Sequence, residues 1–239
     1  MRLIQKGTLY QLTFLPRVFP VNCYLVEEER ELTLIDCALP YSYKAILQTA
    51  QKIGKPITRI ILTHAHDDHV GSLDQLKEAL PDVQVIISKR DHRLLKNDVC
   101  LDSDEPDTPI RGGIPKNIKT EPDQLVQEGD RIGSLQVIAT PGHTPGSISL
   151  FDERSRAIIV GDALQTRGGV AISGDLRWWF PFPAWATWNP ELALQSAKKI
   201  SVLNPSLVAV GHGRMLEEPS AMLAKAIERA EKLVEKERD

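Results

Sequence analysis

Cysteine, net charge and long apolar runs are all in short supply in this 239-residue chain, and each shortage removes a class of protein. The three cysteines, Cys23, Cys37 and Cys100, are odd in number and show no C-x-x-C spacing, which argues against a disulfide framework or a zinc ribbon. They read as reduced core or loop residues of a cytoplasmic protein. No apolar run approaches the ~20 residues of a membrane span. Met1 to Pro16 mixes Arg2, Gln5, Lys6 and Gln11 with its apolar residues, so a signal-peptide core is not expected. A net charge of −3 gives no electrostatic footprint for nucleic acid or an anionic membrane. Internal repeats at solenoid period are missing as well.

What is present is ordinary for a globular protein: 42% hydrophobic and 26% charged residues. The length suits one domain, residues 1–239, of the larger α/β or sandwich type. Leu9 to Leu15, Val21 to Val26 and Leu32 to Ile35 read as strands, the last ending at Asp36. Tyr43 to Ile53 has helical spacing and stops at Gly54. A strand from about Arg59 to Leu62, a helix over Ser72 to Leu80, a strand over Val83 to Ile87 and a helix over Lys89 to Lys96 follow. Asp98 to Gln124 is rich in Asp, Pro and Gly and reads as a long loop. Strands resume at Leu135 to Ala139, Ser147 to Phe151 and Ala157 to Val160, and Gly168 to Trp188 is irregular. Asn189-Pro190-Glu191 starts a helix reaching Leu203, with an N-cap, a proline at N1 and an acid in the first turn. Leu207 to Val210 is a last strand and Ala221 to Lys236 a terminal amphipathic helix. Two packed sheets with helices outside satisfy this order, and so does a doubly wound parallel sheet.

The six histidines are the informative residues, because five of them stand where donors of a paired metal site are needed. Three lie in the run Thr63-His64-Ala65-His66-Asp67-Asp68-His69, directly after Ile60-Ile61-Leu62. His143 follows a strand inside Thr140-Pro141-Gly142-His143-Thr144-Pro145-Gly146. Asp162 follows Ile158-Ile159-Val160-Gly161, and His212 follows Leu207-Val208-Ala209-Val210-Gly211. In each case an apolar strand, a tight turn and a donor side chain come in that order, so the donors gather at strand ends. Seven donors (His64, His66, Asp68, His69, His143, Asp162, His212) exceed what one tetrahedral zinc needs and suit two ions about 3.5–4 Å apart. His92, on a helix outside these motifs, reads as structural or solvated, and Asp67 as a solvated neighbour.

The H-x-H-x-D-H run, followed by separate strand-end His, Asp and His, resembles the metallo-β-lactamase superfamily over most of the chain. That resemblance implies an α/β (α+β) fold, a four-layer αββα sandwich of two mixed β-sheets flanked by helices. It also implies that His64, His66 and His143 hold one metal, that Asp68, His69 and His212 hold the second, and that Asp162 bridges them. Two divalent ions are expected, Zn²⁺ first with Fe or Mn as alternatives, and a bridging hydroxide that hydrolyses an ester-type bond of a small molecule. Asp68 then acts as the catalytic proton carrier. The zinc β-lactamases with the same run place a cysteine where Asp162 stands, which turns the expectation toward lactone, thioester or phosphoester cleavage. Lactonases of the family often carry a tyrosine where this chain has Gln165. Glyoxalase II-like thioesterases of the family carry a basic cluster for glutathione near their C-terminal helices. Lys225 and Arg229 on the terminal helix are candidates for it, but the alternating acids around them favour a solvated face. Iron-dependent oxidoreductases, of persulfide dioxygenase or diiron type, share the fold and form the alternative.

All four tryptophans fall in Arg177 to Trp188. Trp178, Trp179, Phe180 and Trp185 read as an apolar wall or lid on the substrate side. The other reading packs these rings beneath the Asn189 helix or makes them a homodimer contact. Asp98 to Gln124, with Arg111-Gly112-Gly113, reads as a surface excursion, a second lid or a dimer arm.

Overall fold

Strands and helices follow the apolar spacing closely, and the computed structural model, which describes residues 1–238, sorts them into two compact units. The first comprises Met1–Asp98 and Gly113–Val126, the second Val99–Gly112 and Gln127 onward.

The first unit is built on one mixed sheet of seven strands in sequential order. Strands β1 (Arg2–Lys6), β2 (Leu9–Phe14), β3 (Val21–Glu27) and β4 (Leu32–Ile35) form an antiparallel meander. The order continues in parallel through β5 (Ile57–Ile61), β6 (Gln84–Ser88) and β7 (Gln124–Val126). Parallel strands need crossovers, supplied here by α1 (Tyr43–Ile53), by α2 (Asp67–Val70) with α3 (Leu73–Ala79), and by α4 (Lys89–Leu95). The change from meander to crossovers shows in burial: β4 is buried along its whole length, whereas edge strand β1 is half open and has Arg2 and Lys6 at its ends. Helix α1 ends where expected, with Gly54 left-handed at φ 83°.

The second unit is built on a six-stranded mixed sheet. Its strands are β8 (Arg131–Ile132), β9 (Leu135–Ala139), β10 (Ile148–Asp152), β11 (Ala157–Ile159), β14 (Leu207–Ala209) and β15 (Leu216–Glu217). Their order in the sheet is β15-β14-β11-β10-β9-β8. Only β11 and β14 run parallel within it. A small ribbon pairs β12 (Leu164–Gln165) with β13 (Ala171–Ile172). One turn of helix, α5 (Phe182–Trp185), interrupts the irregular aromatic region, and α6 (Pro190–Val202) and α7 (Ser220–Arg238) complete the unit. Phe151, Ile158, Val160 and Val208 from the sheet pack with Leu194, Ala197 and Ile200 of α6 and with Leu223 and Ala226 of α7. Asn189 caps α6 as its sequence predicts, its side chain accepting from Leu192 N at 2.9 Å, a contact worth about 1 kcal/mol.

The long loop after α4 carries no strand or helix up to residue 123, and only its last residue, Gln124, enters β7 against β6. Residues 99–112 group with the second unit and residues 113–126 with the first. Among the described residues no helix is long and apolar enough to cross a membrane.

Candidate metal centre

In the first unit the triple-histidine run leaves the sheet at the end of β5, with β4 and β6 on either side. Both neighbouring strands end near a buried carboxylate that turns toward the run. Asp36, one residue past β4 and left-handed at φ 60°, accepts from Thr63 N and from Thr63 Oγ1, each at 2.8 Å. Its Oδ2 also lies 2.7 Å from His69 Nδ1. Asp91, in the first turn of α4 after β6, accepts from Ala65 N at 3.0 Å and is itself fixed through Ser88 Oγ. The run is therefore gripped from both sides by side chains that are themselves fully buried. Gly71 completes the turn: a Cβ there would lie 2.6 Å from Ala38 O, so only glycine lets the chain pass this close after Val70 bridges Ala38.

These hydrogen bonds decide which ring nitrogens remain to bind a metal. A carboxylate only accepts, so His69 Nδ1 carries the proton toward Asp36 and leaves Nε2 with its lone pair. Thr63 gives its hydroxyl proton to Asp36, so its oxygen accepts from His64 Nδ1 at 3.0 Å. His64 also keeps Nε2 for a ligand. The rings lie close together, the His64 centroid 4.8 Å from His66 in an edge-on arrangement and 4.0 Å from His69 in a tilted one. Donor atoms of His64 and His66, of His64 and His69, and of Asp68 and His69 lie within 4.8 Å of one another. The three histidines are buried and Asp68 is half-buried. A carboxylate holding the far nitrogen of a ligand histidine is the usual support of a metal-binding imidazole.

In the second unit the three donors come from three turns. Parallel pairing puts Ile159 opposite Ala209, and Asp162 and His212 each lie three residues beyond that pair. The two turns are tied by Gly211 N donating to Gly161 O at 2.7 Å. Side by side, His212 Nε2 approaches Asp162 Oδ2 to 3.0 Å. His143, in the turn after β9, brings its Nε2 to 3.5 Å from the same Oδ2. Ser173 Oγ donates to the Asp162 carbonyl and so accepts from His143 Nδ1 at 3.2 Å, with Thr187 Oγ1 at 3.5 Å from that nitrogen. The start of α6 clasps the turn, with Trp188 N and Asn189 N donating to the carbonyls of His143 and Gly142. The Nδ1 of His143 is thus engaged by hydroxyls, and its Nε2 faces the Asp162 carboxylate.

The structure thus brings His64, His66, Asp68 and His69 together in one unit, and His143, Asp162 and His212 in the other. His92 joins neither; it lies on α4 with Nε2 3.9 Å from Glu121 Oε2. Asp67 is exposed, its backbone N–H donates to Gly113 O, and burial and the Asp68 charge push its carboxyl up against the opposing pull of Lys116. The thiols of Cys23 and Cys37 are buried and raised well above the usual range, by desolvation first and then by the Asp36 charge, so neither offers a thiolate. Gln165 is buried, and its Nε2 donates to Phe180 O at 3.3 Å. Arg229 is committed to Asp175 at 3.0 Å. Sequence reasoning missed the supporting residues Asp36, Asp91, Ser173 and Thr187, although Asp36 carries the signal of a carboxylate directly after an apolar strand.

The aromatic candidates divide. Phe180 is buried, its ring 5.2 Å from His212 and 5.3 Å from Phe182. Trp188 is buried too, donating Nε1 to Thr108 O at 2.8 Å. Trp178, Trp179 and Trp185 point into solvent instead, with 84%, 90% and 60% of their surface exposed.

The donor order and the sheets define a class, and the Metallo-beta-lactamase superfamily model matches residues 16–212. The chain belongs to that superfamily, with its fold of two mixed β-sheets and flanking helices (αββα) and its His/Asp metal-binding clusters. Among its relatives, "Uncharacterized protein YobT" of Bacillus subtilis (strain 168) is 57% identical over 97% of this chain and 100% of its own. "Probable metallo-hydrolase YflN" of the same organism is 30% identical over 80% of each chain. The crystal structure of TTHA1623 in a di-iron-bound form is similar at 29% identity with a TM-score of 0.64, covering 88% of this chain and 95% of that one.

Proposed function

We propose that the two donor sets close on one binuclear centre, and that the chain is a hydrolase cleaving a lactone, thioester or phosphoester bond of a small molecule. In this reading His64, His66 and His143 hold one ion, Asp68, His69 and His212 the other, and Asp162 lies between them. The observation that carries it is the shared orientation of the imidazoles. His64, His69 and His143 each engage Nδ1 with protein oxygens, reserving Nε2 for coordination. A donor set of imidazole and carboxylate without thiolate fits Zn²⁺, Fe or Mn. When bound, such a pair supplies a hydroxide nucleophile near pH 7 and polarises the carbonyl or phosphoryl under attack.

The protein's own residues then have defined tasks. Asp36 and Thr63 hold the first-unit rings in one tautomer, and Ser173 does the same for His143. Asp68, half-buried beside His69, passes a proton to the leaving group. Phe180, buried with its ring 5.2 Å from His212, backs that ligand. Asp162, where zinc β-lactamases with the same run have cysteine, favours an ester-type substrate over a β-lactam. The probable metallo-hydrolase YflN supports the hydrolytic class. Free cysteines, two of them with protonated buried thiols, suit a reducing compartment, and we read the compartment as the cytoplasm.

One experiment decides the class: elemental analysis of the purified protein, paired with lactones, S-acylglutathiones and bis-p-nitrophenyl phosphate as substrates. Two metals per chain with turnover of one substrate class is the expected result. Asp68→Asn is expected to lower kcat about 10²–10⁴-fold with little change in KM. Near wild-type turnover with both metals retained would remove the proton role. The di-iron form of TTHA1623 gives the second reading its support, an iron-dependent oxidoreductase. Iron in the purified chain, with oxygen consumption and no hydrolysis, selects it.

A further inference from the structure

Apolar aromatic surface is normally hidden, yet the segment from Trp178 to Trp185 presents three tryptophans to solvent, along with Phe182 at 47% exposure. Its base is held rigidly. Arg177 leads into it with Nη2 3.2 Å from Asp175 Oδ2, and Arg229 of α7 grips Oδ1 of the same buried carboxylate at 3.0 Å. Gln165 holds the Phe180 carbonyl, Thr187 Oγ1 donates to Pro183 O at 2.6 Å, and Trp188 is anchored to Thr108 O. Rigid aromatic rings lose little conformational freedom when they bind, which is the property of an interface anchor.

We propose that this segment is the contact through which a second copy of the chain docks, giving a twofold homodimer. Four observations carry it. Small-molecule sites are concave, whereas a ring that is 90% exposed, as Trp179 is, stands out from the surface. A protruding patch fits a macromolecular partner. From Trp178 to Asn189 no side chain carries a charge, so the patch meets its own copy without setting like charges opposite each other, as an isologous contact requires. Tryptophan is also the residue most enriched among interface hot spots. The area reaches into the required range: at 150–250 Å² per aromatic ring, the exposed fractions of these four residues offer roughly 420–700 Å² per copy. Two copies that cover these rings fully bury about 840–1,400 Å², the upper part of which lies inside the range of about 1,200–2,000 Å² for stable interfaces.

The test is sedimentation velocity on the full chain across a dilution series, beside the double variant Trp178→Ser/Trp179→Ser. The proposal expects the wild type at twice the 26.7 kDa chain mass and the variant dissociating at about 100-fold higher concentration, with the two melting curves coinciding at concentrations where both are monomeric. Quenching of tryptophan emission by acrylamide is expected to rise as the wild type is diluted below its dissociation constant. A wild type monomeric at every concentration overturns the proposal, and so does a double variant that stays dimeric. A monomer that co-sediments with phosphatidylglycerol vesicles overturns it in favour of a lipid surface. A monomer in which the variant raises KM for aryl esters alone overturns it in favour of a substrate wall.

Discussion

In the first unit the metal donors come from one six-residue stretch and are steered by carboxylates. In the second they come from three separated turns and are steered by hydroxyls and backbone. Asp36 and Asp91 hold the His64–His69 turn through charge-assisted hydrogen bonds, each to a group that cannot easily find another acceptor. Asp162, His143 and His212 instead owe their approach to the β11–β14 register, to glycine turns and to Ser173. The same job of aiming an imidazole is done by ionised side chains on one side and by close backbone packing on the other. Substitutions should therefore fail differently in the two units: lost charge disturbs the first, added bulk the second.

The largest effect tests the second half of that comparison. Gly142 has φ 139°, and a Cβ there would lie 2.3 Å from Ala193 N and 2.4 Å from its Cα, in the backbone of α6. Neither atom can yield without moving the helix that also caps the His143 turn. Gly142→Ala is expected to cost about 3 kcal/mol or more, lowering Tm by about 6–12 °C in calorimetry and dislodging His143. Gly129→Ala is the control, because Gly129 is also left-handed at φ 86° but a Cβ there meets nothing within 4 Å. It should lose only about 1 kcal/mol of backbone strain. Equal losses in the two variants would show that the close approach to α6 plays no part.

A middling effect compares the two supports directly. Asp36→Asn weakens the hold on His69 and on Thr63 together, and is expected to lower Zn²⁺ affinity about 10–100-fold, measured by calorimetric titration of the chelated protein. Ser173→Ala removes one neutral hydrogen bond from His143, and its effect should stay under about 10-fold, because a neutral contact is about half as strong as a charged one. A Ser173→Ala loss as large as that of Asp36→Asn would break the distinction between charged and neutral support.

The same contrast explains how much could be read from sequence. The first donor set is contiguous, so its spacing was visible; the second was visible only as a repeated motif of strand, turn and donor. That Asp162 and His212 touch depends on which strands pair, and no local pattern encodes that β11 lies beside β14. Asp36 and Asp91 escaped notice because a single carboxylate after a strand has no spacing signature, and its role appears only once β4 and β6 flank β5. Helices α1 and α6 were placed closely because Gly54 and Asn189 mark their ends by local chemistry. Strands β8, β12, β13 and β15 span two residues each and exist through tertiary pairing, so no periodicity announces them. The tryptophan cluster was legible as unusual, but its exposure was not, since apolar content alone favours burial.

The smallest effect concerns acid, and again separates the units. In the first, Asp74 clamps residues 119 and 120: its Oδ1 accepts from Thr120 Oγ1 and from Thr120 N, and both oxygens accept from Lys119 N. Burial alone would raise its pKa, but those hydrogen bonds and the Lys119 charge outweigh burial and hold it below the usual carboxylate range. Asp123 is held low as well, first by the Val85 N–H, against burial and with help from Lys77. A carboxyl lowered in the folded state stabilises above its unfolded pKa of about 3.9 and loses that stability as pH falls through the folded value. The first unit should therefore weaken progressively below about pH 4. Asp74→Asn is expected to cost about 1 kcal/mol at pH 7 and to flatten that acid slope. Urea midpoints between neutral pH and about pH 3 give the slope, with far-UV dichroism set beside tryptophan emission. Tryptophan reports on the second unit alone, because all four tryptophans lie between residues 178 and 188. An acid slope unchanged in Asp74→Asn would mean that the clamp on residues 119 and 120 does not depend on charge, and that the first unit owes its acid sensitivity to other groups.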